Sequence, residues 1–200
     1  MSQATRRRPA PAAKKHGGEN RLRIIGGQWR GRRVTFPDVE GLRPSPDRVR
    51  ETLFNWLQPV IEGARCLDLF SGSGALGLEA LSRGAGRAVM VDREARVMAS
   101  LREQVRLLDA HNAELVQADA LGFLAGTPEP FDLVFLDPPY RKELLAPCCA
   151  RLTEGWLAPG ARIYLEAELE LDPLPLPAGW TLLRSKKAGQ VGYHLAQAPD

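Results

Sequence analysis

The chain has 200 residues, 44% of them apolar and 26% charged, the proportions of an ordinary globular protein able to bury a sizeable core. No apolar run approaches membrane-spanning length, and the basic N-terminus lacks the apolar stretch of a secretory signal, so neither a membrane protein nor a secreted one is expected. Three cysteines (Cys66, Cys148, Cys149) without metal-ligand spacing and three scattered histidines (His16, His111, His194) argue against a metal site and suit a reducing cytoplasm.

The net charge of +3 hides an asymmetry. Residues 1–50 carry 13 Lys/Arg against 4 Asp/Glu, and residues 51–200 carry 14 against 20. A basic leading segment on an acidic body suits a polyanionic partner. Residues 1–20, rich in Pro, Ala, Lys and Arg, are expected to be a disordered tail. The body is expected to span 21–200, opening with a hairpin at 21–40. Within it, 22–27 and 31–36 read as short strands around a glycine-containing loop. Arg23, Arg30, Arg32 and Arg33 are candidate RNA phosphate contacts, and Trp29 is either a base-stacking residue or part of the hairpin core. A helix is expected next within 41–61. Ser45 is its expected N-cap, Pro46 its first residue, and Val49, Leu53, Trp56, Leu57 and Val60 its apolar face. Arg43, Arg48 and Arg50 decorate its start and would approach RNA or cofactor, or pair with acids.

Residues 66–70 (CLDLF) read as a buried strand, followed by a Ser-Gly-Ser-Gly turn and a helix over 75–85. Such a unit lets the backbone approach a ligand closely. Gly72, Gly74 and Gly77 fit the spacing of a dinucleotide-binding turn, so an NAD-type oxidoreductase is one reading. Asp68, ahead of the turn, favours S-adenosylmethionine instead, because an acid there meets a cationic amino acid end and would repel a pyrophosphate. Asp92 ends the next strand and suits ribose hydroxyls in either cofactor. A helix over 94–108 follows. Asp119 ends the third strand, where it would accept from an adenine amino group or simply cap the next helix, expected at 120–125.

The run 131–136 (FDLVFL) reads as a buried strand that stops at Asp137-Pro138-Pro139-Tyr140. Two prolines stiffen and turn the backbone. The Asp137 carboxyl and the Pro138 carbonyl can accept both hydrogens of an exocyclic amine while Tyr140 stacks on its ring. Holding those hydrogens favours a localised lone pair on a nitrogen that is otherwise a poor nucleophile, which is catalysis by positioning and electrostatics. The plain alternative is a rigid turn. A helix at 142–153, a strand at 161–166 after a Pro159-Gly160 turn, and a closing hairpin at 180–195 complete an alternating α/β pattern. That pattern fits a seven-stranded Rossmann-like sheet with one antiparallel strand.

The strings RIIGGQWRGR, GLRPSPDRVRETLFNWL, CLDLFSGSGALGLEALSRGA, FDLVFLDPPY and AGQVGYHL together resemble the bacterial 16S ribosomal RNA guanine-N2 methyltransferase family, the RsmD family, over about residues 21–196. The resemblance implies a class I methyltransferase fold, S-adenosylmethionine as donor, and guanine 966 of 16S rRNA in the small subunit or its late precursor as substrate. It places the cofactor motif on Asp68 to Gly74, with Phe70, Gly72 and Gly74 among its members. The ribose acid falls on Asp92 beside Arg93, the adenine-side acid on Asp119 beside Ala120, and the catalytic motif on Asp137, Pro138, Pro139 and Tyr140. A monomer without metal is expected. Because DPPY also serves adenine-N6 methyltransferases, such an enzyme on RNA or DNA is the alternative, and a non-catalytic RNA-binding module is a further one.

Overall fold

In the computed structural model the described residues are 20–39, 42, 44–140, 142–171 and 173–200. A two-stranded antiparallel hairpin, β1 (Asn20–Arg23) and β2 (Arg33–Phe36), precedes helix α1 (Asp47–Leu57). Then β3 (Arg65–Asp68), α2 (Gly77–Ser82), β4 (Arg87–Asp92), α3 (Ala95–Leu108), β5 (Ala113–Gln117), α4 (Ala120–Leu124), β6 (Phe131–Leu136), α5 (Leu145–Leu152) and β7 (Leu157–Glu168) alternate. The hairpin β8 (Thr181–Ala188) and β9 (Val191–Gln197) closes the chain. The sheet has seven strands in the order β5-β4-β3-β6-β7-β9-β8. β3, β4, β5, β6 and β7 run parallel, and β9 lies antiparallel to both β7 and β8. The chain order reverses between β3 and β6, so the crevice beyond their carboxyl ends is where such a sheet takes ligands.

Alternation along the strands sorts the core into two faces. Cys66, Ala88, Met90, Leu133, Phe135 and Tyr164 face α1, α2 and the N-terminal hairpin. Leu67, Leu69, Val89, Val91, Val134, Leu136, Ile163 and Leu165 face α4 and α5. Strands buried on both faces read as unbroken apolar runs, as β6 does.

Several elements differ from their sequence-based expectation. The helix N-cap is Pro46, in an extended conformation, with no side-chain cap bond. The Ser45 hydroxyl turns inward and donates to Glu166 Oε1, because a buried carboxylate without partners costs more than an amide left to solvent. Helix α1 stops at Leu57, since Pro59 carries no N–H to extend the ladder. Val60 therefore lies beyond the helix and is exposed, while Phe54 takes a core position. Pro159-Gly160 does not precede the strand but sits inside β7. The register there jumps from Phe131↔Leu157 to Leu133↔Arg162, which accommodates the extra residues. Strand β1 begins at Asn20, the last residue of the expected tail 1–20, and residues 1–19 lie outside the described residues.

The N-terminal hairpin is clamped to the sheet. Trp29 is buried in the core and its backbone N–H donates to Ser82 Oγ at 3.0 Å, so it is a packing residue and not a stacking platform for RNA. Glu79 of α2, fully buried, accepts from the backbone N–H groups of Ile25 and Gly26, both at 2.8 Å. It also pairs with Arg83 at 2.7 Å and Arg50 at 3.4 Å. Arg50, 1% exposed, further donates to Asp47 at 2.6 Å and to the Arg23 carbonyl at 3.0 Å. Of the two readings for Arg50, the structure gives the pairing with acids.

Candidate active site

The glycine turn after β3 is built for close approach. Gly72 and Gly74 have φ of +48° and +77°, which a side chain would strain. Gly77 serves differently: a Cβ there would lie 2.5 Å from Met90 Sδ, so its lack of a side chain lets α2 pack directly on β4. The turn is held from both sides. Asp68 Oδ2 accepts from the Gly77 N–H at 3.1 Å, and Asp92 Oδ2 accepts from the Gly72 N–H at 2.9 Å.

The four acids expected at strand ends lie where the topology places them: Asp68 ends β3, Asp92 ends β4, Asp119 follows β5 and Asp137 follows β6. Their surroundings differ. Asp68 is buried and has no ion-pair partner among the described residues. Burial raises its pKa to about 7, with Asp92 adding to the rise and the Gly77 and Phe70 N–H groups opposing it. A buried carboxyl with only backbone donors is what a ligand cation would complete. Asp92 also accepts from the Glu94 N–H at 2.9 Å, and exposed Arg93 lies 3.7 Å from Glu94. Asp119 caps α4, accepting from Gly122 N–H at 2.9 Å, with Ala120 buried behind it.

At the end of β6, Pro138 is buried while Pro139 and Tyr140 face solvent, Tyr140 with 46% of its surface exposed. An aromatic ring half open at a strand end can receive a planar ligand. Asp137 is partly buried. Its pKa is raised well above the carboxylate range, by burial first, then by the charges of Glu166 and Asp68, with a Ser45 hydrogen bond opposing. The Tyr140 hydroxyl is raised as well, by burial and by Asp137, Glu166 and Glu168. Two clefts of about 320 and 260 Å³ open at the opposite, amino edge of the sheet, the first beside Leu157 and Trp180, the second beside Arg87 and Phe131. Neither reaches the four acids.

On the N-terminal hairpin and α1, Arg23, Arg30, Arg32, Arg33 and Arg48 are exposed. Arg32 donates to the Leu107 carbonyl at 3.0 Å and Arg23 lies 3.7 Å from Asp47, whereas Arg30, Arg33 and Arg48 have no ion pair among the described residues. Arg43 lies outside the described residues. Glu166, and Ser45 expected only as a helix N-cap, are buried beside Asp137. A lone acid inside the apolar run 161–167 was the available signal, but only the register shows its neighbour.

A family model described as conserved hypothetical protein 95 matches residues 22–197. The Escherichia coli K12 protein named ribosomal RNA small subunit methyltransferase D is 52% identical over 183 residues, spanning 91% of this chain and 92% of that protein. The chain belongs to the ribosomal RNA small subunit methyltransferase D family. The Haemophilus influenzae protein of the same name is 44% identical, over 88% of this chain and 93% of its own. The solved structure of the putative methyltransferase yhhF from Escherichia coli superposes with a TM-score of 0.85 at 49% identity, over 90% of this chain and 99% of that one. Membership makes the chain a methyltransferase and sets aside the dehydrogenase reading of its glycine turn. No helix among the described residues is long and apolar enough to cross a membrane.

Proposed function

We propose that the protein transfers a methyl group from S-adenosylmethionine to the exocyclic N2 of guanine 966 in 16S rRNA of the small ribosomal subunit. The observation that carries this reading is the placement of Asp137-Pro138-Pro139-Tyr140 at the end of β6, one strand from the glycine turn and from the uncompensated acid Asp68. The donor set fits the cofactor. Asp68 would take the charge of its amino acid end, Gly72 and Gly74 would border it, Phe70 would pack on it, and Asp92 with Arg93 would face the ribose. Asp119 and Ala120 would border the adenine. When bound, S-adenosylmethionine supplies an electrophilic methyl group on a sulfonium.

The chain's own residues do the rest. The target guanine leaves its stack to reach the carboxyl edge of the sheet. Asp137 and the Pro138 carbonyl accept the two N2 hydrogens, Pro139 stiffens the turn, and the Tyr140 ring stacks on the base. The proton that N2 loses passes to Asp137 or to water. Arg23, Arg30, Arg32, Arg33 and Arg48 bind phosphates of the surrounding rRNA; Arg43 belongs to the same basic stretch of sequence.

The test is incubation with labelled S-adenosylmethionine and small subunits from cells lacking the enzyme, followed by mass spectrometry of rRNA digests. Label on the N2 of that one guanine is expected. Label on an adenine N6 would replace the guanine assignment, and no label on any rRNA would remove the substrate reading altogether.

A further inference from the structure

Asp137 has a second acid beside it that the reaction as described leaves unused. Leu136 pairs with Leu165, so Asp137 and Glu166 each follow directly on a paired residue of neighbouring strands. Glu166 is buried, and its Oε1 accepts from the Tyr164 hydroxyl at 2.7 Å and from the Ser45 hydroxyl. Ser45, also buried, lies close enough to Asp137 to oppose the rise in its pKa. The hydroxyl, bonded to Glu166, therefore lies beside both carboxyls. No cation pairs with either acid among the described residues. Among the described residues the other titratable groups around them include Asp68 from β3, Tyr140 beyond β6, Tyr164 and Glu168 of β7 and Tyr193 of β9. Lys186 on β8 is directed to the ring of Trp56, 5.9 Å from its centroid.

Two close carboxylates without a cation cannot both ionise cheaply. Yet the grip on N2 requires Asp137 to be an acceptor. We propose that Asp137, Ser45 and Glu166 hold one proton in common, resident on Glu166 when the base is bound, so that Glu166 is the positioning residue that leaves Asp137 an anion. In that arrangement Glu166 donates to Ser45 Oγ, Ser45 donates to Asp137, and Tyr164 donates to Glu166. Asp137 then faces the amine with its charge steadied by one hydroxyl. When N2 loses its proton, the N–H bond breaks, an O–H bond forms on Asp137, and the electron pair stays on nitrogen. The set then holds two protons and returns one to water as the product leaves. Burial raises both acids from their ordinary values, which agrees with a shared proton.

This proposal rests on the reading of Asp137 as the amine's acceptor, and the experiment separates the two. The full chain is assayed on methyl-free small subunits across about pH 6 to 9, with S-adenosylmethionine binding measured at equilibrium on each variant. Asp137→Asn tests the underlying reading: near-normal turnover would overturn the grip itself. Glu166→Gln mimics the protonated acid. It should keep turnover at the alkaline end within about threefold of the parent. The acidic limb of kcat/KM should stay within about half a pH unit of the parent's, because the neighbour of Asp137 is uncharged in both. Ser45→Ala should move that limb up. A limb that falls by about one pH unit or more in Glu166→Gln would reveal a charged Glu166 beside Asp137 and overturn the shared proton, even where Asp137→Asn is inactive. A stability readout covers the case of weak activity. Raised carboxyls stabilise the fold at low pH and lose that contribution as pH rises through their folded pKa. The Tm of Glu166→Gln should therefore gain on the parent's as pH increases. A difference constant with pH would overturn the proposal independently of turnover.

Discussion

Replacing Glu79 by Leu should cost more stability than any other single change on the α2 helix. The side chain is fully buried and accepts from two backbone N–H groups of the hairpin loop, at 2.8 Å each, and from two arginines. Its removal leaves Arg50, 1% exposed, with Asp47 as its remaining acid. Breaking a buried ion pair by removing one partner costs about 3–5 kcal/mol. Each orphaned, part-buried amide adds up to about 1–3 kcal/mol, although the terms overlap and do not sum. A loss of about 3–5 kcal/mol corresponds to a Tm lower by roughly 10 °C in a protein of this size. Urea unfolding at pH 7 measures the loss, and amide hydrogen exchange over 20–36 locates it. Exchange in the hairpin should rise more than in β6 or β7. A loss below about 1 kcal/mol, or exchange unchanged in the hairpin, would refute the account of Glu79 as the clamp.

Other perturbations address the site. Asp137→Ala should lower turnover by about 100-fold or more while leaving S-adenosylmethionine binding largely intact, as for loss of a positioned electrostatic partner; titration calorimetry and single-turnover rates check both halves. Tyr140→Ala should remove about 1–3 kcal/mol of stacking, seen in KM or product affinity, whereas Tyr140→Phe should be mild because the ring and not the hydroxyl is used. Asp68 has a folded pKa of about 7, above its unfolded value, so its contribution to stability is present at low pH and is lost as pH rises through about 7. Asp68→Asn should flatten that part of the ligand-free stability profile, followed by urea unfolding at about pH 5.5 and 8.5; an unchanged profile would count against the buried-acid account. Replacing Arg30, Arg32 and Arg33 together by Ala should weaken small-subunit binding and lower the salt slope of log K by about 2–3, one contact each.

The sheet was legible in the sequence because its strands are buried on both faces. Continuous apolar runs ending in acids mark β3, β4 and β6 without ambiguity, and glycines with positive φ mark the turn after β3. The acids were legible for the same reason: a charge at the end of an apolar run has few other places to go. What remained hidden depends on contacts distant in sequence. Ser45 has all the local features of an N-cap, but its hydroxyl is claimed by Glu166, 121 residues away. Trp29 could not be assigned until Ser82, 53 residues on, was known to hold its backbone. Glu79 looks like any acid in a first helical turn, and only the hairpin folding over it shows why it is buried.

The same contacts change how the basic N-terminal segment is understood. Counted as charge alone, residues 21–50 suit a polyanionic partner. In the fold, Arg50 is consumed by the clamp, Arg32 is anchored to the end of α3 and Arg23 lies near Asp47. Fewer charges are free than the composition implies, but those on the hairpin are held at fixed positions relative to Asp137, through Glu79, α2 and β3. A rigid mount loses less entropy on binding than a flexible arm. It also requires the phosphates to lie at one geometry when the target base enters the site. Loosening the clamp without touching an arginine, as Glu79→Gln would by weakening its bonds to Ile25, Gly26, Arg50 and Arg83, should therefore lower kcat/KM on small subunits more than it lowers S-adenosylmethionine affinity. Equal losses in both would mean that the hairpin supports the cofactor turn and not the placement of RNA.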